Sequence, residues 1–172
     1  VAAQMVWRGE AAQAYAAVTM TEAQRSLANG VGLLPWAYPP QFMLAIAPLG
    51  KLSLGLAAFV FLALPLAAFL FVLKRLAGPD FGFALLASAP ALLINVLIGQ
   101  NGYLSGALIG SACLLLLKGE GRGGLPLGLM IFKPHLAIPF AVEALVARRW
   151  RVVLVALATV AVTSLVATLA FC

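Results

Sequence analysis

Residues 83–117 read FALLASAPALLINVLIGQNGYLSGALIGSACLLLL, and this stretch decides the fold. No charged side chain interrupts it; the flanking charges are Asp80 and Lys118. A membrane-spanning helix needs roughly 20 mainly apolar residues, within about 17–25, so the run is too long for one span. Near its middle stands Gly99-Gln100-Asn101-Gly102, and Asn-Gly is a turn signal because both residues tolerate left-handed backbone. The stretch therefore predicts a tight hairpin of two helices, about 83–98 and 103–117.

The same pattern recurs on both sides. The charge-free gap between Lys51 and Lys74 suits one span over about 52–73, with Pro65 placed to kink it. The gap from Arg151 to Cys172 suits a final span over about 152–171. Polar loops separate the apolar runs: Gly78-Pro79-Asp80, then Lys118 to Gly124, then Arg148-Arg149-Trp150-Arg151. Over all 172 residues, 64% are hydrophobic and 9% are charged, against about 45–50% and 25% in ordinary soluble domains. So little polar surface cannot cover a water-soluble fold, and the lipid bilayer is the expected partner. The expected fold class is all-α: a polytopic transmembrane helical bundle, with short interfacial helices and a broken or re-entrant helix pair. One membrane domain is expected over 1–172, with 1–40 an external surface loop and 41–172 the transmembrane helices.

Residues 1–35 differ from the rest, with Arg8, Glu10, Glu22 and Arg25 set among alanines and the aromatics Trp7 and Tyr15. They predict one or two short amphipathic helices at the membrane surface. Thr21, followed by Glu22 and Gln24, reads as a helix start, and Asn29-Gly30 with Gly32 reads as a helix break. In Leu34-Pro35-Trp36-Ala37-Tyr38-Pro39-Pro40 the paired prolines fix an extended backbone, and Trp36 and Tyr38 suit the aromatic belt of an interface. Residues 41–50, with Pro48, are too short to span and predict a re-entrant or tilted half-helix.

The net charge is +6, yet no basic stripe is interleaved with aromatics, so nucleic acid is excluded as a partner. The basic residues stand at helix ends, where the positive-inside rule puts them. Cys113 and Cys172 with the single His135 build neither a disulfide framework nor a zinc site. No nucleophile triad, phosphate-cradling glycine loop or paired carboxylates are present, and no cofactor or metal is expected. The chain lacks an initial methionine and a signal-type start, and it reads as an internal fragment.

Basic residues mark three loops, 74–75, 118–122 and 148–151, and all three should be cytoplasmic. The segment 125–147 must then leave that side and return to it, although it is too short to cross twice. Its middle holds Lys133-Pro134-His135, which breaks a helix and carries charge. The consistent solution is a pair of half-helices meeting there. Non-helical backbone at membrane depth survives only where it is buried in protein or lines a wet cavity. The same parity places residues 1–40, the Gln100-Asn101 turn and the Lys133 break together on the other side.

These features carry the candidate site. A cation within an apolar stretch is expensive and marks function; Lys133 and His135 could bind a phosphate leaving group. The plainer reading has Lys133 snorkelling to a headgroup and His135 partnered. The Gln100 and Asn101 amides could bind sugar hydroxyls, or the four residues are only a turn. Tyr38-Pro39-Pro40 could wall a substrate pocket, or anchor the chain at the interface. Glu10 or Glu22 could serve as a general base, but a solvated surface explains both. Glu143 near Arg148 reads as an intrahelical ion pair, and Arg148-Arg149-Trp150-Arg151 as an anchor.

The order of these motifs carries a resemblance. Gly9 and Ala14-Tyr15, then Tyr38-Pro39-Pro40, Gly99-Gln100-Asn101, Phe132-Lys133-Pro134-His135 and the Arg-Arg-Trp-Arg cluster follow one another over essentially the whole chain. This resembles glycosyltransferase family 87, the mannosyltransferase-like membrane enzymes of the GT-C class. The resemblance implies a hexosyltransferase with its active face on the non-cytoplasmic side of the cell membrane. It implies a polyprenyl-phosphate sugar donor (mannose or another hexose) and inverting transfer to a hydroxyl of a glycan or glycolipid acceptor. It also implies a general-base Asp, which would fall upstream of Val1, so no catalytic carboxylate is assigned here and the fragment is not expected to be active alone. The substrate-binding set is then Lys133, His135, Gln100, Asn101 and Tyr38. Lys133, with His135, would stabilise charge on the departing lipid phosphate, and Gln100 and Asn101 would orient sugar or phosphate oxygens. Broken helices also build transporter sites, so a transporter or lipid flippase is the alternative, although no inverted repeat is visible. A non-catalytic membrane scaffold is the third reading.

Overall fold

Long apolar runs free of charge have one cheap conformation in lipid, the helix, because it satisfies its own backbone hydrogen bonds. The computed structural model describes residues 1–26 and 35–171, and every regular element among them is helical. The α-helices are α1 (Ala2–Trp7), α2 (Ala17–Arg25), α3 (Pro40–Ile46), α4 (Leu54–Ala77), α5 (Phe81–Ile98), α6 (Gly102–Leu117), α7 (Gly124–Leu129), α8 (Pro134–Val146) and α9 (Trp150–Phe171). Short 3-10 turns join several of them. Two helical stretches among the described residues, Leu54–Ile98 and Trp150–Phe171, are long and apolar enough to cross a membrane. The fold is an all-α membrane fold. The chain divides into two units, Val1–Ala57 with Thr163–Cys172, and Ala58–Val162.

In the first unit, α1 lies against the 3-10 turn Ala47–Lys51. The Trp7 indole Nε1 donates to the Ala47 carbonyl at 2.6 Å, and the Lys51 ammonium sits 3.8 Å from the centre of the Trp7 ring. The start expected at Thr21 is corrected: α2 begins at Ala17, and the Thr21 hydroxyl donates back to the Ala17 carbonyl at 2.6 Å. A hydroxyl spent on the preceding turn cannot cap a new helix. The break expected at Asn29-Gly30 and Gly32 lies outside the described residues. Pro39 is extended (φ −68°, ψ 162°) and Pro40 is the first residue of α3, where its missing N–H costs nothing.

In the second unit, Gly106 of α6 lies against the Phe69 ring, and Gly110 against Val72 and Leu76. Contacts that advance together along α4 and α6 mean the two run parallel, and α5, which joins them in sequence, runs the other way. Lys74-Arg75 and Lys118 therefore point to one end. The helix α7 runs the other way to α6: Gly123 abuts Leu116, and Leu127 shares a core with Ala112. It runs alongside α9, with Gly124 on Val152 and Ala156, and Gly128 on Ala156 and Thr159. These approaches are so close that a methyl at Gly128 would lie 2.6 Å from the Ala156 carbonyl oxygen, the kind of contact through which small residues let membrane helices meet. The helix α8 comes back, placing Ala144 in the same core as Val152. The chain from Gly121 to Arg151 thus leaves one end and returns to it. All three basic clusters lie at that end.

Candidate substrate site

At the far tip of this returning segment the backbone breaks at Lys133 (φ −141°, ψ 67°), between the 3-10 turn Met130–Phe132 and α8. The cause is local: proline at 134 disfavours helical backbone at the residue before it and starts a new helix well. The Lys133 amide donates to the Met130 carbonyl at 2.8 Å, and the Lys133 carbonyl accepts from Leu136 at 3.0 Å. Met130 and Phe132 are buried beneath it, which fixes the tip. Lys133 is half-buried and His135 exposed. Lys133 also occupies the N-cap position of α8, whose N-terminus carries the positive end of a helix dipole, so a cation and a positive helix end meet at one point.

The α5–α6 turn is built differently from a simple Asn-Gly turn. Gly99 takes the left-handed conformation (φ 67°, ψ 33°), and the Gln100 amide donates back to the Asn95 carbonyl at 3.1 Å. Asn101 holds the N-cap position of α6 but makes no capping bond with its side chain. The Asn95 carboxamide oxygen takes that role, accepting the Gly102 amide at 3.0 Å. The Tyr103 hydroxyl donates to the Leu92 carbonyl at 2.5 Å and ties the hairpin further. Asn101 is left 4% exposed, with both its Oδ1 and its Nδ2 unpartnered. Buried polar atoms are nearly always hydrogen-bonded, so an amide with neither atom partnered within the chain is an exception. Gln100 is exposed.

Lys133, His135, Gln100 and Asn101 all belong to the second unit. Counting from the Ala112–Leu127 level at about 1.5 Å per residue, the Lys133 tip and Asn101 lie in the same direction, away from the basic end. Among the described residues no hydrogen bond or ion pair joins the two. Tyr38 lies in the first unit. Its ring packs 4.7 Å from Phe42 and 5.1 Å from Trp36, and its carbonyl accepts the Tyr15 hydroxyl at 2.9 Å.

Sequence reasoning passed over two polar groups, Asn95 and Gln41, and read Arg149 only as part of the basic anchor. Asn95, a lone amide in an apolar helix, was detectable as such. In the first unit Gln41 donates to the Ser164 hydroxyl at 2.8 Å while its Oε1 stays buried and unpartnered. Arg149 donates to the Leu116 carbonyl at 2.9 Å and pairs with Glu143 at 3.1 Å, so the partner of Glu143 is Arg149 rather than Arg148.

Neither a curated protein nor a solved structure matches the chain. The profile of glycosyltransferase family 87 matches residues 36–172, leaving the alanine-rich stretch 1–35 outside. The match takes in the Gln100-Asn101 turn, the Lys133 break and the basic cluster at 148–151. With four-fifths of its length inside that profile and an all-α membrane fold, this chain belongs to glycosyltransferase family 87.

Proposed function

We propose that this chain supplies the donor-binding part of a membrane glycosyltransferase that uses a polyprenyl-phosphate hexose, such as mannose, on the non-cytoplasmic side. The observation that carries the reading is the Lys133 tip: a half-buried cation at a helix break, turned away from the end where Lys74, Arg75, Lys118, Arg122 and the Arg148–Arg151 cluster gather. Basic ends tend to be retained in the cytoplasm, and this supports reading the tip as part of the opposite face.

The chemistry follows from charge. When an acceptor hydroxyl attacks the anomeric carbon, the carbon–oxygen bond to the lipid phosphate breaks and negative charge gathers on the departing phosphate. Lys133 and the N-terminus of α8 stabilise that charge in a site of low dielectric, as helix N-termini do for phosphates generally. His135 adds a donor beside them. Asn101, and Gln100 at the turn, orient sugar or phosphate oxygens, and the acceptor is a glycan or glycolipid hydroxyl. The proton of that hydroxyl passes to a carboxylate acting as general base.

The test is transfer of labelled mannose from polyprenyl-phosphate mannose in membranes carrying the intact protein. Lys133→Ala should lower the rate by about 10²–10³-fold, the usual loss of one charge-stabilising group. Unchanged transfer by a normally expressed Lys133→Ala protein removes the reading.

A further inference from the structure

The basic end of the second unit holds a built cleft. The turn 148–151 and the glycine-rich loop 118–122 enclose an open space of about 480 Å³, lined by Gly119, Gly121, Arg148, Arg151 and Trp150 among others. A second space of about 530 Å³ shares Gly119, Gly121 and Arg151, takes in Glu120 and Arg122, and runs on over Leu154 and Val155 of α9.

The arginines here are not equivalent. Arg149 is committed to the Leu116 carbonyl and Glu143, and Arg122 to Glu120 at 3.4 Å. Arg148 and Arg151 are exposed and have no carboxylate partner among the described residues. Arg148 also holds a positive φ of 54°, the one non-glycine residue to do so among the described residues. Non-glycine residues adopt that backbone rarely, and it concentrates at functional positions. The rim is therefore cationic, and the floor along α9 is apolar, with Leu154 65% exposed. Trp150, 58% exposed between them, suits the headgroup level of a bilayer.

A free anion gains nothing from the apolar floor; an amphiphile with a phosphate head uses both parts. We propose that this cleft binds an anionic phospholipid, its phosphate held by Arg148 and Arg151 and an acyl chain laid along the Leu154 face of α9. Basic pockets between helices at the cytoplasmic side bind such headgroups in general. The inference does not rest on the sugar-transfer reading.

The test is a thermal-unfolding titration of the purified intact protein in neutral detergent with phosphatidylglycerol, phosphatidylcholine or inorganic phosphate. Phosphatidylglycerol should raise Tm saturably, and the other two should not. Arg148→Gly with Arg151→Gln should abolish the phosphatidylglycerol shift, glycine being chosen because it keeps the positive φ. Lys74→Gln with Arg75→Gln, which removes charge at the same end but outside the cleft, should keep it. If the double arginine variant does not fold, Arg151→Gln alone should still weaken the response. An equal shift with phosphatidylcholine overturns the proposal, as does a shift with inorganic phosphate alone, which would mark a free-anion site. So does a phosphatidylglycerol shift that survives loss of the arginines, or one lost equally in the Lys74/Arg75 variant.

Discussion

The Asn95 carboxamide oxygen accepts the Gly102 amide at 3.0 Å, so α6 is capped by a side chain from the helix before it. The residue in the capping position, Asn101, is thereby released from structural duty and lies buried with both amide atoms unpartnered. On the proposed function, stability and activity should therefore separate at these two asparagines.

Asn95→Ala should destabilise the protein by about 0.5–2 kcal/mol, the range for loss of an N-cap. Asn101→Ala removes no hydrogen bond made by the side chain, and should leave Tm unchanged or slightly higher while lowering transfer activity. Thermal unfolding and transfer assays on the two variants check this; the opposite pattern would return Asn101 to a structural role.

Arg149 bridges the last turn of α6 and the end of α8 through Leu116 and Glu143. Arg149→Ala should cost more than Glu143→Ala. The first leaves a half-buried carbonyl without its charged donor, worth about 1–3 kcal/mol. The second breaks only a partly exposed pair, worth at most about 1 kcal/mol. Unfolding midpoints of the two single variants decide it.

Gly128 meets backbone of α9, and backbone cannot swing aside as a side chain can. Gly128→Ala should therefore destabilise by about 1–3 kcal/mol, as overpacking does. Gly106→Ala faces the Phe69 ring, which can rotate, and should cost less. Equal losses would show that α7 and α9 part more readily than their contact implies.

Much of the fold was legible because charge is so costly in lipid. The empty intervals around Lys51, Lys74, Asp80, Lys118 and Arg151 marked the ends of α4, α5, α6 and α9 to within a few residues. The break at Lys133 was legible because Pro134 acts on the residue before it. What stayed hidden depends on which surfaces meet. Nothing in the sequence told which asparagine caps α6, because the choice is made by the fold of the hairpin. The roles of Gly106, Gly110, Gly124 and Gly128 needed the facing helix, and the hydroxyl of Thr21 suits a cap and a back-bond equally well.

The central claim is that the Lys133 tip and the α5–α6 turn open on the face opposite the basic loops. The most direct measurement is labelling with a membrane-impermeant maleimide in intact cells, on the full-length protein with Cys113 and Cys172 replaced by serine. Gln100→Cys and His135→Cys should react from outside, and Arg122→Cys only after the membrane is permeabilised. If His135→Cys reacts only after permeabilisation, the tip shares the cytoplasmic side with the basic loops, and the proposed donor site is contradicted.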